Sequence, residues 1–394
     1  MKKKSKDYHL AKIKVVGVGG AGNNAVSRMF DELPKSVDLI AVNTDVQDLN
    51  YTHAKEKIHI GKNLTKGLGT GMNPDLGQQA AEENRAELAE ALKGADMIFI
   101  TAGFGGGTGT GAAPVIAEIA KELGVLTVAV ITKPFTFEGA KRSQIALEGL
   151  ARIRDRVDTL IVVPNDQIFS IINKDTSLVK AFEEIDEILK NAVLGITDLI
   201  ISPGIVNVDF ADVKAVMQEG GSTIIGIGIS SGPERASQAA NQAINSPLLE
   251  MSIEGAKGVL FSVSGHRDLK MSEVNEVAKL ISENIDQTAK IIFGAYIDRK
   301  LNKGQLKVTL VATGFNGSFE YKNNVLSQNL FAQKTMIPED KPENKKIEET
   351  YLQEPINQNS IFEDKKKKGK IEKTEKKESE ETWDIPAFLR KRKH

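Results

Sequence analysis

The chain has no cysteine. Disulfides, cysteine-ligated zinc and thiol catalysis are therefore excluded, and the reading favours a reducing compartment. Tryptophan occurs once, and aromatic residues make up only 5% of the chain. Net charge is nearly absent: 52 Lys+Arg stand against 53 Asp+Glu, a balance of -1. No overall basic field argues for nucleic acid. No apolar run approaches the roughly 18 residues that a transmembrane helix needs. The basic start, Met1-Lys2-Lys3-Lys4, leads into no apolar stretch, because Lys12 and Lys14 interrupt it, so no signal peptide is read. The expected location is the cytoplasm. A G-x-x-x-x-G-K-S/T sequence is also missing, which excludes a P-loop NTPase.

Glycine is plentiful, and its placement is informative. Gly105-Gly106-Gly107-Thr108-Gly109-Thr110-Gly111 follows the apolar run Met97–Thr101 and precedes a helical stretch, Ala112–Leu123. Without Cβ atoms, such a turn lets backbone N–H groups approach a ligand closely. At a helix N-terminus those donors converge on an anion, usually phosphate. A second loop, Gly17-Val18-Gly19-Gly20-Ala21-Gly22-Asn23-Asn24, lies between the strand Ile13–Gly17 and the helix Asn23–Leu33. It satisfies G-x-G-x-x-G, and Asp45 follows about 20 residues later, which is the formal dinucleotide fingerprint. A nicotinamide-dependent oxidoreductase is thus one reading. Two phosphate cradles without a Walker lysine favour a triphosphate held by backbone amides.

At 394 residues the chain exceeds one compact core. Strands at Leu39–Val42, Thr127–Ile131 and Leu160–Val163 join those above, and helices at Pro74–Leu92 and Gly139–Arg154 alternate with them. This rhythm predicts an α/β fold with a parallel sheet, residues 12–176, after a flexible extension over 1–11. Asn73-Pro74 is a strong helix start. A long helix from Ser177 to about Leu194, within a connecting segment 177–203, would bridge to a smaller α/β domain, 204–317. Its expected strands are Thr223–Ile229, Gly258–Val263, Lys290–Ile297 and Leu306–Thr313, with helices Glu234–Ile244 and Glu273–Asp286. Residues 318–382 are rich in Asn, Gln, Lys and Glu and read as a disordered linker. Residues 383–394 restore apolar groups and hold the single Trp383, as a partner-binding peptide would, with a stray apolar tail as the plainer alternative.

Three motifs carry a resemblance. Gly105–Gly111 matches the G-G-G-T-G-T-G signature of the tubulin/FtsZ GTPases. Asn207-Val208-Asp209-Phe210-Ala211-Asp212 resembles the synergy loop of the bacterial FtsZ branch, and Asp384-Ile385-Pro386-Ala387-Phe388-Leu389 resembles its C-terminal partner-binding peptide. The resemblance runs from about Lys12 to Gly317 and resumes at the C-terminus.

It implies a polymerising GTPase of cell division. Gly20, Ala21, Gly22, Asn23 and Asn24, with Gly107, Thr108 and Gly109, would contact the phosphates. Gly71, in Gly67–Asn73, would sense the γ-phosphate; from the residues alone that segment is merely flexible. Glu138 would bind the ribose and Arg142 the phosphates, although the residues alone read as a solvated helix start. Asn165 would reach the nucleotide. Phe182 and Asp186, at i and i+4 on one helical face, would stack on guanine and accept from its N1–H and amine; core packing and a solvated face are the plainer readings. Asp209 and Asp212 would enter the next subunit's pocket and position the attacking water, or else simply cap a helix. Mg²⁺ is expected on the phosphates, with no dedicated protein cage. Expected partners are other copies of the chain, head to tail, and membrane-associated division adaptors at midcell. Asp209 and Asp212 argue against a non-catalytic scaffold of the same superfamily. Ala21 departs from the family, where glycine is frequent, and fits only with a negative φ.

Overall fold

The computed structural model describes residues 11–170, 172–173, 175–202, 204–246, 252–298 and 300–315. The linker and peptide expected beyond residue 317 lie outside them. The first half runs β1 (Ile13–Val18), α1 (Gly19–Met29), β2 (Asp38–Asn43), α2 (Val46–Tyr51), β3 (Glu56–His59), α3 (Lys62–Thr65), α4 (Pro74–Glu83), α5 (Arg85–Leu92), β4 (Met97–Gly103), α6 (Thr108–Glu122), β5 (Leu126–Lys133), α7 (Ala140–Arg154) and β6 (Thr159–Pro164). Then follow α8 (Leu178–Ile201), α9 (Phe210–Met217), β7 (Gly221–Ser231), α10 (Arg235–Ile244), β8 (Gly258–Gly265), α11 (Met271–Glu283), β9 (Lys290–Ile297) and β10 (Gln305–Thr313).

The ten strands among the described residues form one sheet, ordered β3-β2-β1-β4-β5-β6-β7-β10-β8-β9. From β3 to β7 every pairing is parallel. The strand order reverses between β1 and β4, the crevice where open parallel sheets bind ligands. Both glycine loops leave the carboxyl ends of these two strands. β4 is buried from Met97 to Ala102, as a central parallel strand covered on both faces must be. The second half is a mixed sheet, with β10 antiparallel to β7 and β8, and β8 parallel to β9.

The two halves share more than the expected helix. β7 pairs with β6 at Gly221–Thr223 and with β10 from Ile224 onward, so the sheet itself continues across. α8 spans 24 residues, about 36 Å at 1.5 Å per residue. Leu189, Ala192, Val193 and Ile196 enter a core with Val130 and Ile161 on one side and Leu260 and Val311 on the other. The helix passes the Leu194 end expected from sequence, because Gly195 does not terminate it. A Cβ there would come within 2.6 Å of Thr309 Cγ2, so this glycine serves close approach of α8 to β10.

Other expectations shift for local reasons. The helix expected over Pro74–Leu92 divides at Asn84, whose backbone leaves helical geometry (φ -108, ψ 20). Its side-chain oxygen accepts the Gly61 N–H at 3.0 Å. Asn73 caps α4 by accepting from Asp75 and Leu76 N–H, with Pro74 at the start, as expected.

Candidate functional site

A cavity of about 380 Å³ opens where β1, β2, β4, β5 and β6 end. The helices α1 and α6 begin there without any side-chain cap and without an acid in the first turn. By contrast α2, α4, α8 and α9 are capped by Asp45, Asn73, Ser177 and Asp209. The uncapped N–H groups of α1 and α6 face the cavity and suit an anion.

The seven-residue glycine run divides its labour. Gly105 takes φ +103 and makes the turn. A Cβ on Gly107 would collide with Thr70 Oγ1 and approach Asn73 N to 2.8 Å. One on Gly109 would lie 2.8 Å from the Gly103 carbonyl oxygen, and one on Gly111 would strike the Pro74 carbonyl of α4. Only Gly106 has nothing within 4 Å of that position. It lines the cavity, so its missing side chain is space for ligand. Thr108 Oγ1 lies 2.6 Å from Thr44 Oγ1 and 3.2 Å from Thr70 Oγ1, a hydroxyl cluster at the start of α6.

Of the residues expected at the nucleotide, Gly20, Ala21, Asn24, Gly71, Gly107, Thr108, Gly109, Glu138, Arg142, Asn165, Phe182 and Asp186 all line this one cavity. Gly22 and Asn23 do not. They lie on the sheet-facing side of α1: a Cβ on Gly22 would strike the Thr101 carbonyl, and Asn23 is fully buried. The first glycine loop is itself the opening turn of α1, which begins at Gly19 rather than Asn23. Ala21 sits in that turn and is absent from the positive-φ residues, so alanine is accommodated.

The Gly67–Asn73 segment is not featureless. Lys66, Gly67, Gly69, Gly71 and Met72 all have positive φ, a defined left-handed path that glycine makes cheap. Asp45, offered by the dinucleotide fingerprint as a ribose acceptor, is engaged as the cap of α2, accepting from Gln47 and Asp48 N–H. Asn43 donates to Asp48 at 2.8 Å. Glu138 accepts from Arg142 at 2.8 Å and from Phe135 N–H at 2.9 Å. Asn165 Oδ1 is a buried acceptor without a partner among the described residues.

At the far end, Phe182 stands edge-on to Phe135, with centroids 5.5 Å apart. Asp186 is nearly buried and accepts from Arg28 Nε at 3.0 Å. Burial lifts its carboxyl to about 7; Arg28 pulls the other way and Glu183 adds to the rise. Ile185 and Leu189 complete this wall. Sequence reading missed them, though they follow Phe182 at i+3 and i+7, the apolar face of the same helix. It missed Arg28 too, because only the fold brings α1 against α8.

Asp209 and Asp212 are not in the cavity. Asp209 caps α9, and both acids are exposed. Asp384–Leu389 fall outside the described residues. Among the described residues no group of three or more His, Cys, Asp or Glu is placed to hold a metal ion, and no helix is long and apolar enough to cross a membrane.

Residues 12–173 match the GTPase domain of the tubulin/FtsZ family, and residues 221–316 match the C-terminal domain of the FtsZ family. An empty FtsZ dimer from M. jannaschii is 50% identical over 77% of this chain and 88% of that one, with a TM-score of 0.74. The chain belongs to the FtsZ family. A mutant FtsZ from the same archaeon is likewise 50% identical, covering 78% of this chain and 92% of that one at TM-score 0.75. A GTPγS-bound protofilament of CetZ2 from Haloferax volcanii is 25% identical, covering 79% and 95% at TM-score 0.66. FtsZ-family membership makes this chain a GTP-binding, tubulin-like cytoskeletal GTPase, and removes the oxidoreductase reading.

Proposed function

We propose that this chain polymerises head to tail, forms the bacterial division ring, and hydrolyses GTP at sites completed by the next subunit. One observation carries the reading. Every carboxylate lining the cavity is engaged: Asp45 by the α2 backbone, Asp48 by Asn43, Glu138 by Arg142 and Asp186 by Arg28. Each is held by a protein partner, and of their oxygens Asp45 Oδ2 and Asp186 Oδ1 accept no bond among the described residues, whereas Asp209 and Asp212 are exposed and outside the cavity. The exposed acids Asp209 and Asp212 are the natural complement, supplied from another copy. Repetition of one such heterologous contact gives an open filament.

In this reading Gly20, Ala21 and Asn24, with Gly106–Gly109, cradle the triphosphate through backbone N–H groups, and Gly71 contacts the γ-phosphate. Glu138 takes the ribose hydroxyls and Arg142 the phosphates. Phe182 stacks on guanine, Asp186 reads its donor pair, and Asn165 accepts from the nucleotide. Mg²⁺ would bind through the phosphate oxygens of the nucleotide and would neutralise phosphate charge there. The tail peptide Asp384–Leu389 docks membrane-associated adaptors at midcell on the cytoplasmic side, tethered by residues 318–382.

Mixing two inactive variants tests the shared site. Asp212→Ala keeps an intact pocket, and Gly107→Val keeps intact acids. Together they should regain part of the phosphate release that each lacks alone. No recovery, with both variants folded and co-assembling, would place the acids and the pocket within one subunit.

A further inference from the structure

α1 serves both ends of the cavity. Its opening residues, Gly19–Ala21, line the phosphate side. Arg28 lies nine positions later, about 14 Å along the axis. There its Nε donates to Asp186 Oδ2 at 3.0 Å, and its Nη2 lies 3.8 Å from Glu183 Oε1. Arg28 does not line the cavity; Asp186 does. Oδ1 of Asp186 receives no hydrogen bond within the described residues, and an ionised carboxylate offers about four acceptor sites.

We propose that Arg28 is a positioning residue for base recognition: by anchoring one oxygen of Asp186 from behind, it aims the remaining acceptor sites at the base and so sets the preference for guanine. The proposal rests on the reading of the cavity as a guanine-nucleotide site. Guanine presents N1–H and an exocyclic amine side by side, and a charged carboxylate accepts both. A protonated carboxyl would put its own O–H against N1–H. Asp186 is poised between these states, since burial lifts it to about 7. Arg28 from α1 favours the charged form and Glu183 on α8 opposes it. Across the cavity, Glu138 and Arg142 are paired with each other. Against burial, Arg28 therefore increases the share of the ionised acceptor at neutral pH.

The test uses the full chain and equilibrium binding of GDP, inosine diphosphate and ADP between pH 6 and 9. Inosine diphosphate keeps N1–H and lacks the amine. For the wild type, GDP affinity should fall as pH drops through about 7. Arg28→Met should move that midpoint up by about one unit or more. It should also cut the preference for GDP over inosine diphosphate by about tenfold at pH 7.5. Arg28→Lys should restore most of both. Glu183→Gln should move the midpoint down, which keeps the proposal testable if Arg28→Met fails to fold. Folded Arg28→Met with the wild-type midpoint and preference would reduce Arg28 to a staple between α1 and α8 and overturn the proposal. An upward or absent shift in Glu183→Gln would do the same. A wild-type chain that binds no GDP at any pH overturns the nucleotide reading along with it.

Discussion

Asp209 Oδ1 accepts the backbone N–H of Asp212 at 2.8 Å. The bond fixes both acids in the first turn of α9. The loop before them is pinned to the edge strand β9, where Val206 and Ala295 exchange hydrogen bonds at 3.1 Å. Beside it Ile205 is 65% exposed. Two outward-facing carboxylates thus stand on a backed, ordered support.

Asp212→Asn should separate binding from hydrolysis. The Asp209 cap survives it, so α9 stays formed. GTP affinity should remain within about twofold, and phosphate release should fall by about 100-fold or more, the usual scale for a lost proton-handling group. Nucleotide binding and single-turnover hydrolysis check it. Asp209→Ala is the less clean variant, because it also removes a cap worth about 1 kcal/mol.

Neighbouring glycines should respond differently. Gly106→Ala adds a methyl group into open cavity space, so the melting temperature should hold while GTP affinity drops at least about tenfold, the cost of obstructing one well-made phosphate contact. Gly107→Ala drives a Cβ into Thr70 and Asn73, so both stability and affinity should fall. Thermal unfolding with and without GDP distinguishes the two.

Asp186 predicts a pH-dependent cost. Its folded carboxyl lies near 7 against an ordinary value of 3.8. Between these values the folded state holds the extra proton, so this group's contribution to stability declines as pH rises through that window and is flat above it. Asp186→Asn should therefore raise the melting temperature of the nucleotide-free protein at pH 8, with little gain at pH 4, while it removes guanine preference. Calorimetry across pH checks it.

Gly195→Ala tests the seam between α8 and β10. The added methyl group meets Thr309 Cγ2 at 2.6 Å, and relief requires the buried Thr309 side chain to rotate or the helix to move. Overpacking of this kind costs about 1–3 kcal/mol. The midpoint of denaturant unfolding should fall, with no change in the residues of the nucleotide cavity.

Much of the fold was legible because the first half announces itself. Apolar strands end in glycine loops, and Asn73-Pro74 marks a helix start. What escaped has tertiary causes. Nothing local distinguishes Gly195, which admits a neighbouring strand, from a glycine that ends a helix. Asn84 breaks its helix to satisfy Gly61, which is distant in sequence. β3 was missed because Glu56 and Lys57 leave it little apolar signal. In the site, residues on one segment were legible as motifs, whereas the Arg28–Asp186 pair, 158 positions apart, was not. Gly22 and Asn23 read as ligand contacts because the glycine loop looked like a loop. As a helical turn it shows only one face to the cavity.

The central claim is that one subunit's acids complete another's pocket. Phosphate release per molecule, measured with GTP and Mg²⁺ over a wide range of chain concentration, tests it most directly. The shared site predicts activity per molecule that climbs with concentration alongside light scattering and vanishes on dilution. Activity per molecule that stays constant to high dilution would contradict it.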